Sequence, residues 1–220
     1  MKIIETFLSI QGEGINSGLP TFFVRLEGCN LRCSYCDTKY SFSGGHEMSI
    51  DNILSKITKE SASFNLVCIT GGEPLINKEI TKLLNALIKK GYKIDVETNG
   101  SILIDKFPNS KSILYSLDIK CPSSGMSRQM EFRNLDLLKK KDQVKFIIGN
   151  YDDFIYSKNI VLKFKLVQNT NVIFSPIGGV NADKLVRWIL KEKLNVRVGL
   201  QIHKVIWKSE KEELMLVDDK

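Results

Sequence analysis

Three cysteines crowd into one short stretch, Cys29-Asn-Leu-Arg-Cys33-Ser-Tyr-Cys36, with C-x3-C-x2-C spacing and no fourth cysteine nearby. Thiolates from one compact loop can hold three of the four irons of a [4Fe–4S] cube. The fourth iron is then open to a ligand that is not protein, which suits chemistry at the iron better than electron storage. Zinc is the competing reading, but zinc sites usually close with four ligands at paired C-x2-C spacings. His46, in a Gly44-Gly45-His46 stretch, is the one candidate for a fourth zinc ligand. Three unrelated thiols would rarely cluster so tightly.

Other polar motifs follow apolar runs: Thr70 to Pro74, Glu97 to Gly100, Asp118 to Lys120 and Ser175 to Gly179. The runs before them read as strands, at Leu19 to Glu27, Leu66 to Ile69, Tyr92 to Glu97, Ile113 to Ile119, Val144 to Ile148, Val172 to Pro176 and Val196 to Ile202. Between them lie helical patterns. Ser49 is an N-cap before Ile50, Ile53, Leu54 and Ile57, and a stripe of Ile80, Leu83, Leu84, Leu87 and Ile88 ends at Gly91. Further helices are expected around Arg128–Lys140, Asp153–Val167 and Asn181–Lys193. Strands apolar on both faces and alternating with helices imply an α/β fold with a parallel sheet and outer helices. Right-handed crossovers curl such a sheet into an incomplete (β/α) barrel of about seven strands. Loops at the C-terminal ends of its strands share one face, so motifs far apart in sequence are expected to share one cavity.

Composition sets the bounds. The chain has 220 residues, 43% of them hydrophobic, enough for one domain spanning 1–220 with a short charged extension at about 208–220. Five cysteines, three of them crowded, argue against a disulfide framework and for a reducing cytoplasmic setting. Cys68, in an apolar strand, reads as a buried small hydrophobe. Cys121 follows Lys120 and could approach the active face, though a structural role is favoured. The start of the chain lacks the apolar region of a signal peptide, and no apolar run is long enough to span a membrane. The net charge of +7 suits an anionic substrate. The lysines are scattered, so direct nucleic-acid binding is not expected.

C-x3-C-x2-C after one strand, followed by Gly71-Gly72-Glu73-Pro74 after the next, resembles the radical S-adenosylmethionine (SAM) superfamily. The resemblance implies a [4Fe–4S] cluster on Cys29, Cys33 and Cys36, with SAM chelating the open iron. It further places Gly71, Gly72 and Glu73 at the SAM amino group and Tyr35 near the adenine, with Asp37 beside it. A finer resemblance is to the 7-carboxy-7-deazaguanine synthase family, running from about Glu5 to His203. It is carried by Gln11-Gly-Glu-Gly14, Phe23-Val-Arg-Leu26, Cys36-Asp-Thr38, Thr70-Gly-Gly-Glu-Pro74, Glu97-Thr-Asn-Gly100, Ser116-Leu-Asp-Ile-Lys120 and Gln201-Ile-His-Lys204.

What that family implies is ring contraction of 6-carboxy-5,6,7,8-tetrahydropterin to 7-carboxy-7-deazaguanine with loss of ammonia, in queuosine and 7-deazapurine precursor biosynthesis. Reduced cluster cleaves SAM to a 5′-deoxyadenosyl radical that abstracts a pterin hydrogen, and Mg2+ assists the rearrangement. By the same resemblance, Ile10, Gln11, Gly12, Glu13, Arg25, Thr70 and His203 bind the pterin and Thr38 binds magnesium. Glu97, Ser116, Asp118, Lys120, Ser175 and Pro176 line the SAM pocket. A carboxylate at Glu13 suits a guanidine-like N–H pair, and Arg25 suits a carboxylate. Read without the family, Arg25 is a strand arginine reaching an exposed face, Asp37-Thr38 a helix cap, and His203 a structural histidine ending a strand. The family also implies a homodimer and an electron donor such as flavodoxin or ferredoxin. In some relatives the chain terminus closes the substrate site, but here the sequence continues past His203 to Lys220. A glycyl-radical activating enzyme would share the cluster and SAM loops without needing Gln11, Glu13 and Arg25. A non-catalytic zinc or iron–sulfur module is the third alternative, disfavoured by the complete scaffold after the cysteines.

Overall fold

The computed structural model describes residues 1–61, 63–179 and 182–207. Its frame is a sheet of strands β1 (Lys2–Ile10), β2 (Pro20–Leu26), β3 (His46–Glu47), β4 (Leu66–Gly71), β5 (Lys93–Thr98), β6 (Ile113–Ile119), β7 (Gln143–Ile148), β8 (Asn171–Pro176) and β9 (Arg197–Val198). The order is β3-β1-β2-β4-β5-β6-β7-β8-β9. Every pair from β2 to β9 is parallel, while β1 runs antiparallel to β2 and β3. The sheet stays open, which is the incomplete barrel that the strand–helix alternation predicts.

Helices α1 (Ile50–Glu60), α2 (Ile80–Lys89), α3 (Asn134–Leu137), α4 (Tyr151–Lys163), α5 (Leu166–Asn169), α6 (Ala182–Lys191) and α7 (Ile202–Ile206) complete the described residues. Ser49 caps α1 as expected, its Oγ accepting from the Asn52 N–H at 3.1 Å. The apolar stripes of α1 and α2 are buried, and Gly91 at φ 83° ends α2 in the left-handed region that favours glycine. Outward strand positions such as Val67, Ile69, Ile94, Val96, Val144 and Phe146 join these stripes in the core. The alternate strand positions face the concave side, and many of these are polar, among them Arg25, Thr70, Asp95, Glu97, Ser116, Asp118, Gln143 and Lys145.

Several expectations need correction. Nine strands are present among the described residues, not about seven. β1 escapes notice because Lys2–Ile10 has no clean alternation and only Ile3 is fully buried. The helix expected over Arg128–Lys140 is reduced to a 3-10 turn at Ser127–Gln129 and the single turn α3. There Asn134 is buried, and its side chain serves the Ile104 N–H and the Gly100 and Ile102 carbonyls, drawing local structure away from a regular helix. The helix expected over Asp153–Val167 begins earlier, at Tyr151 behind an Asn150 cap, and breaks at Lys165, whose φ of 49° reverses the chain so that Leu166 is buried. Finally, the last strand is two residues long. Gly199 bonds to Phe174 and then the chain leaves the sheet, so His203 lies on α7 and does not end a strand. Asn181 and the 208–220 extension lie outside the described residues.

Candidate active site

The cysteine loop leaves the C-terminal end of β2 and is pinned on several sides. Gly28 N–H donates to Ser41 O at 2.8 Å, and Glu73 N–H donates to Gly28 O at 2.8 Å. Ser34 holds the 123–124 carbonyls through both its N–H and its Oγ, and Arg32 bonds to Cys29 O while lying over the Phe42 ring. Cys29, Cys33 and Cys36 remain half-buried free thiols. Among the described residues no group of three His, Cys, Asp or Glu side chains converges as a single ion requires. A zinc ion with bonds of about 2.3 Å needs such convergence, whereas thiolates on separate irons of a cube stand further apart. His46 sits in β3, exposed and paired to β1, so it does not complete a zinc site.

The Gly71-Gly72 pair explains how close the next loop comes. Gly71 has a φ of 145°, and a Cβ there would lie 2.3 Å from Leu26 O; one on Gly72 would lie 2.2 Å from Gly28 O and 2.7 Å from Cys29 Cβ. Only glycine lets β4 and the cysteine loop touch. Glu73 is fully buried, and its carboxylate accepts from the Leu75 N–H, the Thr98 hydroxyl and the Asn99 N–H. Burial raises its pKa to about 7 despite those bonds. Its side chain therefore knots three loops together, leaving only its main chain for a SAM contact.

Around the concave side the predicted residues fall into one row, two levels deep at β6 and β7. Arg25 pairs in register with Thr70, and the Thr70 hydroxyl donates to Glu97 at 2.8 Å. Glu97 is in register with Ser116, which accepts from Gln143 at 2.6 Å. Asp118 is in register with Lys145 and accepts from Lys120 at 2.7 Å. Arg25 is not on an exposed face: its Nε donates to Glu5 at 2.6 Å, and the rings of Phe7 and Tyr40 flank it. Ser175 and Pro176 are buried at the end of β8, where Gly199 packs against the serine.

The Ile10–Gly14 segment ends β1, opens its connection to β2 and covers this row. Gln11 is buried, donating to Asp95 at 3.1 Å and accepting from the Glu13 N–H at 3.3 Å, which leaves one amide N–H and one oxygen lone pair beyond these two bonds. Glu13 accepts from Lys145 and from Gln201, each at 2.6 Å. Burial would raise its pKa, but Lys145 and Gln201 together outweigh burial and hold it below the usual glutamate value. Asp118 is likewise held low by Lys120 and Lys145 against burial. Burial would lower the pKa of Lys145, yet Asp118, Glu13 and Glu97 keep it well above the usual lysine range. Lys145 Nζ stands 3.5 Å from Asp118 Oδ1, close enough to attract it though not aligned as a hydrogen bond. A Cβ on Gly12 would lie 1.9 Å from His203 Nδ1, so α7 packs directly on this segment.

Thr38 occupies the cap position of a 3-10 turn at Lys39–Phe42, yet its side chain makes no capping bond; its hydroxyl lies 3.8 Å from Cys36 Sγ. Asp37 is exposed and meets Lys204 at 3.4 Å. The Tyr35 hydroxyl is buried with no partner among the described residues. Cys68 and Cys121 are fully buried as expected, Cys121 lying 3.2 Å from Ser157 Oγ.

Five residues of this site were given no role from sequence: Asp95, Asn99, Gln143, Lys145 and Gln201. For three of them a signal existed. A charge or amide at alternate positions of an otherwise apolar strand, as in Ile94-Asp-Val and Gln143-Val-Lys-Phe, marks a paired group on a buried face.

An open parallel barrel with three free thiols after its first parallel strand and glycines pressed against them defines a radical SAM protein. The sequence model of the Radical SAM superfamily matches residues 23–148. The chain is 42% identical to the 7-carboxy-7-deazaguanine synthase of Methanospirillum hungatei, over 94% of this chain and 85% of that one. It is 39% identical to that of Clostridium acetobutylicum (96% and 97% covered) and 37% identical to that of Koribacter versatilis (96% and 98%). The chain belongs to the 7-carboxy-7-deazaguanine synthase family of radical SAM proteins. In fold it is similar to QueE from Escherichia coli (TM-score 0.75, 22% identity, 91% and 93% covered) and, more distantly, to SuiB from Streptococcus suis bound to the peptide SuiA (TM-score 0.58, 16% identity, 80% and 47% covered).

Proposed function

We propose that this chain converts 6-carboxy-5,6,7,8-tetrahydropterin to 7-carboxy-7-deazaguanine with release of ammonia. The observation that carries the reading is the concave polar face beside the cysteine loop, with the Arg25 cation in its row and the Glu13 anion in the segment that covers it. Those two charges match a substrate with a carboxylate and a guanidine-like N–H edge. Cys29, Cys33 and Cys36 would hold the [4Fe–4S] cluster, and their thiols, free of disulfides and beside the Gly72 cradle, fit it. Cluster and SAM, when bound, supply the electron and the hydrogen-abstracting group.

The chain's own residues orient and select. Glu13, kept ionised by Lys145, retains lone pairs beyond those taken by Lys145 and Gln201 and can accept from the pterin edge. Glu5 steadies the Arg25 guanidinium for the substrate carboxylate, Thr70 and Glu97 bridge the substrate and SAM regions, and His203 packs Gly12 into place. Gln11 positions Glu13. Ile10 and Gly12 contribute backbone to the same edge. We assign SAM to Tyr35, Asp37, Gly71, Gly72, the Glu73 main chain, Glu97, Ser116, Asp118, Lys120, Ser175 and Pro176. Lys120, half-buried and bonded to Asp118, adds positive charge beside Cys33.

Finer assignments complete the proposal. Thr38, its hydroxyl making no capping bond, is the magnesium ligand, in keeping with an ion that retains most of its waters. The protein is read as a cytoplasmic homodimer of single-domain chains, reduced by a flavodoxin or ferredoxin. None of its described helices is long and apolar enough to cross a membrane. Anaerobic reconstitution with iron and sulfide, followed by SAM and dithionite with or without the carboxytetrahydropterin, tests the main reading. Deazaguanine product with 5′-deoxyadenosine is expected only when pterin is present. A chain that takes up stoichiometric zinc and shows no cluster absorbance would contradict it. Thr38→Ala should blunt magnesium stimulation with cluster content unchanged.

A further inference from the structure

Asn99 was quoted in the sequence only as part of a strand-end motif, yet its side chain reaches the cysteine loop. β5 ends at Thr98, and the Asn99 N–H is fixed by the buried Glu73 carboxylate. The Asn99 amide oxygen accepts from the Ser101 N–H at 3.0 Å and from Ser101 Oγ at 2.6 Å. A main-chain N–H can only donate, so this contact settles which end of the amide is oxygen. The NH2 group must face the other way, and there it meets Asn30 Oδ1 at 3.0 Å and Cys29 Sγ at 3.8 Å. Asn30 is oriented in turn by its own donation to Ser101 Oγ at 2.8 Å. Asn99, Asn30 and Ser101 therefore close a ring of hydrogen bonds that aims an amide N–H at one cysteine sulfur.

The three thiols are not equivalent. Cys29 Sγ also accepts from the Leu31 N–H at 3.4 Å, giving it two N–H donors. Cys36 has the Thr38 hydroxyl at 3.8 Å, and Cys33 has no such donor among the described residues. A donor at a thiolate stabilises the more negative, reduced form of a cluster and raises its potential. Asn99 is 6% exposed and bound on every side, so its amide is already in place before any cluster binds.

We propose that Asn99 is a positioning residue that sets the reduction potential of the cluster through Cys29. The proposal rests on the cluster assignment made under Proposed function. It says that the strand-end asparagine, and not the cysteine loop alone, decides how readily the cluster accepts the electron passed on to SAM.

The test compares the wild-type chain with Asn99→Ala and Asn99→Asp, each reconstituted anaerobically without substrate. Iron content is measured alongside the midpoint potential, followed by electron paramagnetic resonance at a series of poised potentials. Asn99→Ala removes the donor and should shift the reduced-to-oxidised ratio about tenfold toward the oxidised form, a fall of about 59 mV for a one-electron couple. Asn99→Asp keeps the shape and the acceptor for Ser101 but turns a charge toward Cys29, so its potential should fall further than that of Asn99→Ala. Loaded variants with the wild-type potential would overturn the inference. So would loss of iron from both variants with an unmoved potential in whatever fraction stays loaded, since that marks a purely structural role. A wild-type chain that takes up no cluster would instead overturn the cluster assignment, and this inference with it.

Discussion

Lys145 shows how much of this site depends on one side chain. It is buried among Glu13, Asp118 and Glu97; it keeps Glu13 ionised and, beside Lys120, helps to keep Asp118 so. Breaking a buried ion pair from one side costs about 3–5 kcal/mol, because the partner is left charged and unsolvated. Lys145→Met should lower stability by that order in urea unfolding, and adding Glu13→Gln should recover part of the loss; a double variant no more stable than the single one would refute this account. Asp95 behaves in the opposite sense. Burial first, then repulsion from Glu97, lifts its pKa to about 7, and its Oδ1 has no partner among the described residues. The folded chain therefore keeps a proton that the unfolded chain releases near pH 3.9. Stability from this group is full below that pH and is lost as pH rises toward 7. Asp95→Asn should flatten the fall in melting temperature between pH 5 and 8. It should not abolish it, because Glu73, also raised to about 7, has the same sign. At this scale the sequence displayed the cysteines, glycines and Arg25 through type and spacing. Lys145 and Asp95 carried the weaker signal of a charge within an apolar strand, which marks burial but names no partner until the inward neighbours are known.

The strands and helices that position these residues follow from local rules where the pattern is strong. β6 spans Ile113–Ile119, the range its apolar run marks, and α1 and α2 begin and end at Ser49 and Gly91. Legibility failed where tertiary bonds replaced periodicity, as at Asn134, or where backbone handedness changed, as at Lys165. The link between β4 and the cysteine loop belongs to this scale as well. An added methyl on Gly72 would meet the backbone of Gly28 and the Cβ of Cys29, neither of which can swing away as the end of a flexible side chain could. Gly72→Ala should therefore reduce iron uptake during reconstitution. Gly91→Ala is the control: its φ of 83° brings a local backbone cost of about 1–2 kcal/mol, but nothing lies within 4 Å of the added carbon. Its iron content should match that of the wild-type chain, and equal iron content in the two variants would dissociate the glycine contact from cluster binding.

Across the whole molecule, an open barrel leaves a gap that the parallel strands do not fill, and two distant segments meet there. The β1–β2 connection brings Gln11, Gly12 and Glu13 over the row, and the chain after β9 returns to it. Ile202 N–H donates to Gly12 O at 3.0 Å, Gln201 donates to Glu13, and His203 packs on Gly12. Among the described residues, the same segment meets the cysteine loop only through the exposed Lys204–Asp37 pair at 3.4 Å, a surface pair worth little, and the strand pairing from β1 to β9 is complete before residue 200. Substrate edge and cluster should therefore separate experimentally. A chain ending at residue 200 should reconstitute with the same iron content as the full chain and bind SAM equally well. Its KM for the carboxytetrahydropterin should rise at least tenfold, the equivalent of about 1.4 kcal/mol, because Glu13 loses a hydrogen-bond donor and Gly12 its packing partner. Gln201→Ala and His203→Ala in the full-length chain should each reproduce part of that rise. If truncation lowered iron content and SAM binding together while KM stayed fixed, the C-terminal segment would belong to the cluster side of the barrel and not to the substrate edge.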